Sequence, residues 1–131
     1  MRDLDQHDFQ ETVSACLIRH RSILDCLSKL QESSARVNRA VTKSVTCCGC
    51  LQINAKRQCV PENTPLAEAA KYMSTHIIGS LCPECREVVE TELGGLLFYL
   101  VAVCTILGLD VGDILEKEQK YLSTLGVYNL L

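Results

Sequence analysis

Asp8–Thr46 reads DFQETVSACLIRHRSILDCLSKLQESSARVNRAVTKSVT. It holds neither glycine nor proline. Phe9, Val13, Leu17, Leu24, Leu27, Leu30, Val37, Val41 and Val45 recur at the spacing that lines one face of an α-helix. A single helix over this stretch would run about 55–60 Å at 1.5 Å per residue, longer than a compact chain of 131 residues is wide. The region is therefore expected either to break near Ser33 and Ser34 or to reach across to a partner subunit. Gln31, Ser34 and Asn38 interrupt the apolar stripe, so they line a pocket or form an exposed or inter-subunit patch.

Outward from this helical region, Cys47–Asn63 reads as a loop with a short extended piece. Thr64-Pro65 looks like an N-cap followed by proline at the first helical position, predicting an amphipathic helix over Leu66–Ile77 that Gly79 closes. Cys82-Pro83-Glu84-Cys85 opens the next helix, with Glu84 and Glu87 where the positive end of the helix dipole favours them. That helix is expected to run to Leu107 with Gly108 as its cap. A last helix follows Asp110, and the tail Gly126–Leu131 is apolar enough to dock. No repeat, low-complexity segment or sustained strand alternation is present, so the class expected is all-α.

The chain is 47% hydrophobic and 22% charged, with three prolines and seven glycines, a composition for one folded domain over 1–131. Its formal net charge is -3, with basic and acidic residues interspersed, which offers no cationic field for a phosphate backbone and speaks against nucleic acid as partner. The beginning MRDLDQHDFQ carries charges and no apolar core, so export is not expected and a cytoplasmic location is. Leu93–Leu109 is uncharged but interrupted by Gly94, Gly95 and Gly108 and flanked by Glu90, Glu92 and Asp110. It reads as a helix buried on all sides, in a bundle or at a subunit interface, and not as a membrane span.

Nine cysteines in a reducing compartment point to metal ligation or redox chemistry rather than disulfides. Two pairs have ligand spacing: Cys48-Gly49-Cys50 after the first helical region, and Cys82-Pro83-Glu84-Cys85 at the start of a later helix. Two short thiolate hairpins from distant parts of a chain are what a closed, tetrahedral, structural Zn²⁺ site needs. Gly49 allows a tight turn between its neighbours, and Lys43 and Arg86 offset the negative charge of four thiolates. The rival for Cys82 and Cys85 is a dithiol redox motif, which belongs in a βαβ setting this sequence lacks. Spacing does not separate Cys47 from Cys48. Cys16, Cys26 and Cys104 fall in helical apolar patterns and read as small core residues, and Cys59 is open. His20 and His76 read as pattern residues with no nucleophile beside them.

The segment Glu92-Leu93-Gly94-Gly95-Leu96-Leu97-Phe98-Tyr99-Leu100, with Leu107-Gly108-Leu109-Asp110-Val111 and Ile114-Leu115-Glu116-Lys117, resembles the C-terminal part of MazG-like nucleotide pyrophosphohydrolases. More closely, the chain is similar to short cysteine-containing MazG-like proteins of bacteria. The resemblance covers about forty residues well and the first helical region loosely. It implies a MazG-like helical bundle, a homo-oligomer (dimer or tetramer), a nucleotide ligand, and Mg²⁺-dependent cleavage of a nucleoside triphosphate to monophosphate and pyrophosphate. That chemistry uses a Glu-x-x-Glu pair on one helix and a Glu-x-x-Asp pair on the next, whose spacing sets both members of each pair on one face to hold the metal. Here Glu92 matches the first member of the second pair, but Gly95 stands in the place of the Asp. Glu32 is the match in the first pair, with Ala35 where the second Glu is expected. Two of the four carboxylates are missing, so the resemblance leaves Glu32 and Glu92 as Mg²⁺ ligands, with Asn38 or Asp25 and the Glu84, Glu87, Glu90 series as substitutes. Arg36, Arg39 and Lys43 are spaced to meet phosphate oxygens or to form a solvated face. The alternative is a nucleotide-binding or protein-interaction module without catalysis on the same fold.

Overall fold

Helices dominate the computed structural model, which describes residues 5–17 and 21–126. In chain order they are α1 (Gln6–Cys16), α2 (Ile23–Lys43), α3 (Pro83–Ile106) and α4 (Val111–Tyr121), with two short strands, β1 (Leu51–Ile53) and β2 (Ile77–Gly79), between α2 and α3. The chain divides into two compact units, Met1–Arg36 with Glu92–Leu131 and Val37–Thr91, so α2 and α3 each contribute a part to either unit, the larger part to the first.

In the first unit α1 opens at Asp5, whose carboxylate accepts from the Asp8 amide at 2.8 Å, and α4 opens in the same way at Asp110, which accepts from Asp113 at 2.9 Å. Its core is Val13 and Leu17 of the α1 segment, Cys26 of α2, and Val101 and Ala102 of α3, flanked by Phe9, Phe98, Ile106 and Val111. Gln10 ties three strands of chain together. Its amide group donates to the Leu109 carbonyl at 2.9 Å and the Thr105 hydroxyl at 3.2 Å, and its carbonyl accepts from the Val111 amide at 2.9 Å. Gly108, at φ 72°, ends α3 as expected, with the Leu109 amide returning to the Cys104 carbonyl.

The second unit is built differently. A π-helical turn over Ser44–Cys48 follows α2, and β1 and β2 pair antiparallel in the register Leu51↔Gly79, Gln52↔Ile78, Ile53↔Ile77. Its buried side chains are few and mostly small: Ala40, Ser44, Leu51 and Val89.

Several expectations change. The first helical region breaks between Cys16 and Ile23, not at Ser33 and Ser34; α2 runs through both serines, and Ser33 is buried, its small side chain suiting a closely packed face. The break lets Val13 and Leu17 pack into the same core as Cys26. The helix expected over Leu66–Ile77 is a 3₁₀ helix, Leu66–Tyr72, after which the backbone extends at Met73 and enters β2, because Ile77–Gly79 pairs with β1. Thr64 does not cap it; its hydroxyl donates to Pro61 in the preceding turn. Cys26 is buried as expected, whereas Cys16 is exposed. The α3 helix is not buried on all sides: Leu93, Leu97 and Leu100 lie exposed, as does Leu107 just after it. By length and composition it is the one helix among the described residues long and apolar enough to cross a membrane. His20 and residues 127–131 of the apolar tail lie outside the described residues.

Candidate metal centre

The last turn of α2 sets the first ligand pair. Lys43 closes the regular helix, and the wider turn that follows carries the chain to Gly49, which adopts φ 80° and whose amide donates to the Ser44 carbonyl at 2.9 Å. A side chain at that φ is disfavoured, so Gly49 is the residue that lets Cys48 and Cys50 face one point. Cys50 leads directly into β1, where the partner of Leu51 is Gly79 at φ 91°. A Cβ on Gly79 would stand 2.5 Å from the Cys50 carbonyl oxygen, so the close approach of β2 to the ligand loop also requires glycine. The helical pattern before it predicts Gly79 as a helix terminator; its role here comes from pairing that no local pattern announces.

The second pair sits at the start of α3. Pro83 begins the helix, the Arg86 amide returns to the Cys82 carbonyl at 2.8 Å, and the Cys85 amide points at Cys82 Sγ from 3.4 Å. Cys48 Sγ lies 3.8 Å from Cys82 Sγ. Sulfurs about 3.8 Å apart are what metal–sulfur bonds of about 2.3 Å at tetrahedral angles produce, and the separation is far beyond a disulfide bond of about 2.05 Å. All four ligand atoms of Cys48, Cys50, Cys82 and Cys85 fall within 4.8 Å of one another. The structure thus brings together the four cysteines that spacing selected, takes Cys48 rather than Cys47 into the cluster, and makes the set compatible with a structural metal site.

Proton binding on the cluster is shared unequally. The Cys85 amide, followed by contact with the Cys85 thiol, pulls Cys82 down to about 7. Cys85 itself, although the Ser44 hydroxyl favours its thiolate, is pushed up to about 12 by Cys82, desolvation and the remaining two thiols. Cys48 is also raised: the Cys50 amide and Cys85 favour its thiolate, and Cys82, the Cys50 thiol and desolvation outweigh them. The Cys82 thiolate forms readily, whereas Cys48 and Cys85 wait for a cation to neutralise the crowding. Ser44 is almost fully buried; its single hydroxyl proton has the Ala40 carbonyl at 3.1 Å as the alternative to Cys85, and its own carbonyl accepts from the Cys50 thiol at 3.8 Å. Nothing in the sequence pattern singled out Ser44; a serine facing inward on a helix next to a ligand pair was the available signal.

The carboxylates are arranged otherwise. Glu32 is exposed and bonded to Arg36 at 2.9 Å and Lys29 at 3.2 Å; chiefly the Arg36 hydrogen bond holds its carboxyl below the ordinary range. Glu92 lies near enough to Arg36 to raise that guanidinium's pKa alongside Glu32. The charge standing beside both carboxylates is therefore the Arg36 cation. Gln31, Ser34 and Asn38 are exposed, which places this polar set on the surface, and Glu84, Glu87 and Glu90 are exposed as well, with Glu90 facing Arg86 at 3.7 Å. Among the described residues Glu32 and Glu92 belong to no group of three or more metal-ligating His, Cys, Asp or Glu side chains. His76 is half-buried at φ 61°, its carbonyl accepts from the Asn54 amide at 2.8 Å, and its Nε2 is enclosed without a hydrogen-bond partner. Comparison with protein-family models, with curated proteins and with solved structures finds no match to this chain.

Proposed function

We propose that Cys48, Cys50, Cys82 and Cys85 hold one Zn²⁺ as a structural centre, on a MazG-like helical protein that binds a nucleotide without the full carboxylate set for hydrolysing it. The observation that carries the metal reading is the convergence of four sulfurs within 4.8 Å from the end of α2 and the start of α3. Four thiolates leave no open position for a catalytic water, so the ion's contribution is to folding. Soft, tetrahedral, all-sulfur ligation favours zinc, with iron as the competitor.

The reading of the nucleotide site rests on the resemblance together with Arg36. In the resemblance Ala35 and Gly95 stand where two metal carboxylates belong, and of the two that remain Glu32 is already hydrogen-bonded to the Arg36 guanidinium, whose charge Glu92 also feels. A Mg²⁺ ion would have to displace that cation from Glu32 and would have two carboxylates instead of four.

Elemental analysis of protein purified without chelator should find one zinc per chain, and a Cys82→Ser, Cys85→Ser variant should lose it; stoichiometric iron, or no metal, would remove the zinc assignment. Zinc-loaded protein given a panel of NTPs and dNTPs with Mg²⁺ should be thermally stabilised by one of them without releasing pyrophosphate. Turnover in that assay would replace the binding role with the hydrolytic one. A panel that neither stabilises nor reacts would remove nucleotide from the account and leave the metal reading standing.

A further inference from the structure

The four clustered thiols are not sealed inside the fold. Cys48 is exposed, and Cys50, Cys82 and Cys85 are half-buried. Buried cysteines are inert, whereas accessible thiolates are the ones that peroxides reach. Cys48 is thus the ligand that an oxidant meets first. Its sulfur lies 3.8 Å from that of Cys82, and a disulfide needs the two at about 2.05 Å, a closure of less than about 2 Å. Both residues lie outside α2 and α3: Cys48 ends the wide turn and is followed by Gly49 at φ 80°, and Cys82 immediately precedes α3. The closure therefore unwinds no turn of either helix.

On the zinc reading above, on which this rests, we infer that the centre is a peroxide-sensitive switch in which oxidation links Cys48 to Cys82 and releases the ion. The Cys48 thiolate attacks one peroxide oxygen, the O–O bond breaks, and a sulfenic acid forms with loss of hydroxide. The Cys82 thiolate then attacks that sulfur from across the cluster; the S–O bond breaks, the S–S bond forms and a second hydroxide leaves. The two sulfurs have given up two electrons, and the peroxide is reduced to two hydroxides that solvent protonates to water. Cys50 and Cys85 alone are half of a tetrahedral ligand set, too few to retain the ion. The new bond still ties the end of α2 to the start of α3, but Cys50, which leads into β1, is freed. The β1–β2 hairpin loses its anchor while the tether persists. Cys47, although exposed, does not compete for Cys48. Chain neighbours have Cα atoms about 3.8 Å apart, short of the roughly 4.4–6.8 Å that a disulfide spans.

The test uses the full, zinc-loaded chain, titrated with hydrogen peroxide in the presence of a chromophoric zinc indicator. Elemental analysis beforehand should find one zinc per chain; its absence would remove the metal reading and the switch with it. Peroxide should then release that one zinc, peptide mapping should find Cys48 joined to Cys82, and β1 and β2 should lose amide-exchange protection. Dithiothreitol with added zinc should restore all three. A Cys47→Ser, Cys59→Ser chain should release its zinc at an unchanged rate. Zinc kept through excess peroxide would overturn the switch and leave the metal reading standing. Zinc lost with a Cys82–Cys85 disulfide or with sulfinic acids in place of the Cys48–Cys82 bond, or release that depends on Cys47 or Cys59, would overturn it equally.

Discussion

The two units of this chain are held by different physics. The first buries Val13, Leu17, Cys26, Val101 and Ala102 in one cluster and fastens the α3–α4 turn with Gln10. The second, from Val37 to Thr91, buries only Ala40, Ser44, Leu51 and Val89. Its two strands are three residues each, and most of Asn54–Thr75 is exposed. Ordering a residue costs on the order of 1–2 kcal/mol of backbone entropy, and a few buried aliphatic side chains at about 1.5–3 kcal/mol each do not offset that over such a length. A unit with so little apolar burial needs a different cross-link, and the four thiols sit where one would act, joining the end of α2 to the start of α3.

The comparison breaks most directly under metal removal. Chelation, or Cys82→Ser with Cys85→Ser, is expected to abolish amide-exchange protection across β1 and β2, a loss on the order of 10 kcal/mol by analogy with small zinc-folded units. Amides of α1 and of Val101–Ile106 should keep their protection. Equal loss in both units would show that the metal supports the entire chain and that the division of labour is wrong. The pH dependence has a fixed sign. Cys48 and Cys85 are raised, so at neutral pH they carry protons that the metal must displace, whereas Cys82, at about 7, is already half thiolate. Apparent metal affinity should therefore increase with pH and fall steeply as the solution is acidified below about 7, as measured by competition with a chromophoric chelator.

A smaller effect tests how the hairpin serves the centre. Gly79→Ala puts a methyl group against the Cys50 carbonyl and forces a side chain into φ 91°. The backbone term alone costs about 1–3 kcal/mol, so the variant should bind its metal roughly tenfold more weakly or worse. Binding at the level of the unmodified chain would mean that β2 does not position Cys50.

How far these regions were legible in advance follows the same division. Helical periodicity and end signals are local, and they revealed α2, α3 and α4, with Pro83, Gly108 and Asp110 in the places the structure gives them. Ligand spacing is local too, which is why Cys48, Cys50, Cys82 and Cys85 could be selected before any coordinates. What escaped is set by contacts between distant residues. Leu66–Ile77 has an acceptable helical pattern, but Ile77–Gly79 gains ladder partners in Leu51–Ile53 that outweigh a weak local preference. The break after Cys16 is carried by no glycine or proline; it follows from Val13 and Leu17 sharing a core with Cys26. Cys47 and Cys48 were inseparable by spacing, because the π-helical turn that carries Cys48, and not Cys47, to the other three thiols becomes visible only in three dimensions.

The smallest of these effects bears on the first unit and isolates it from the metal. Gln10 is partly buried and satisfies three groups at once, two of them backbone: the Leu109 carbonyl and the Val111 amide. Gln10→Ala removes the side-chain partner that both have in this turn. Each loss is tempered by water at this half-exposed position, so the net cost should be about 1–3 kcal/mol, read as a lower thermal midpoint with faster exchange at Leu109 and Val111. Metal stoichiometry and β1–β2 protection should not change, because no thiol ligand belongs to this unit. A Gln10→Ala protein that also released its metal would show that the two units share one folding transition, which would turn two independent supports into one.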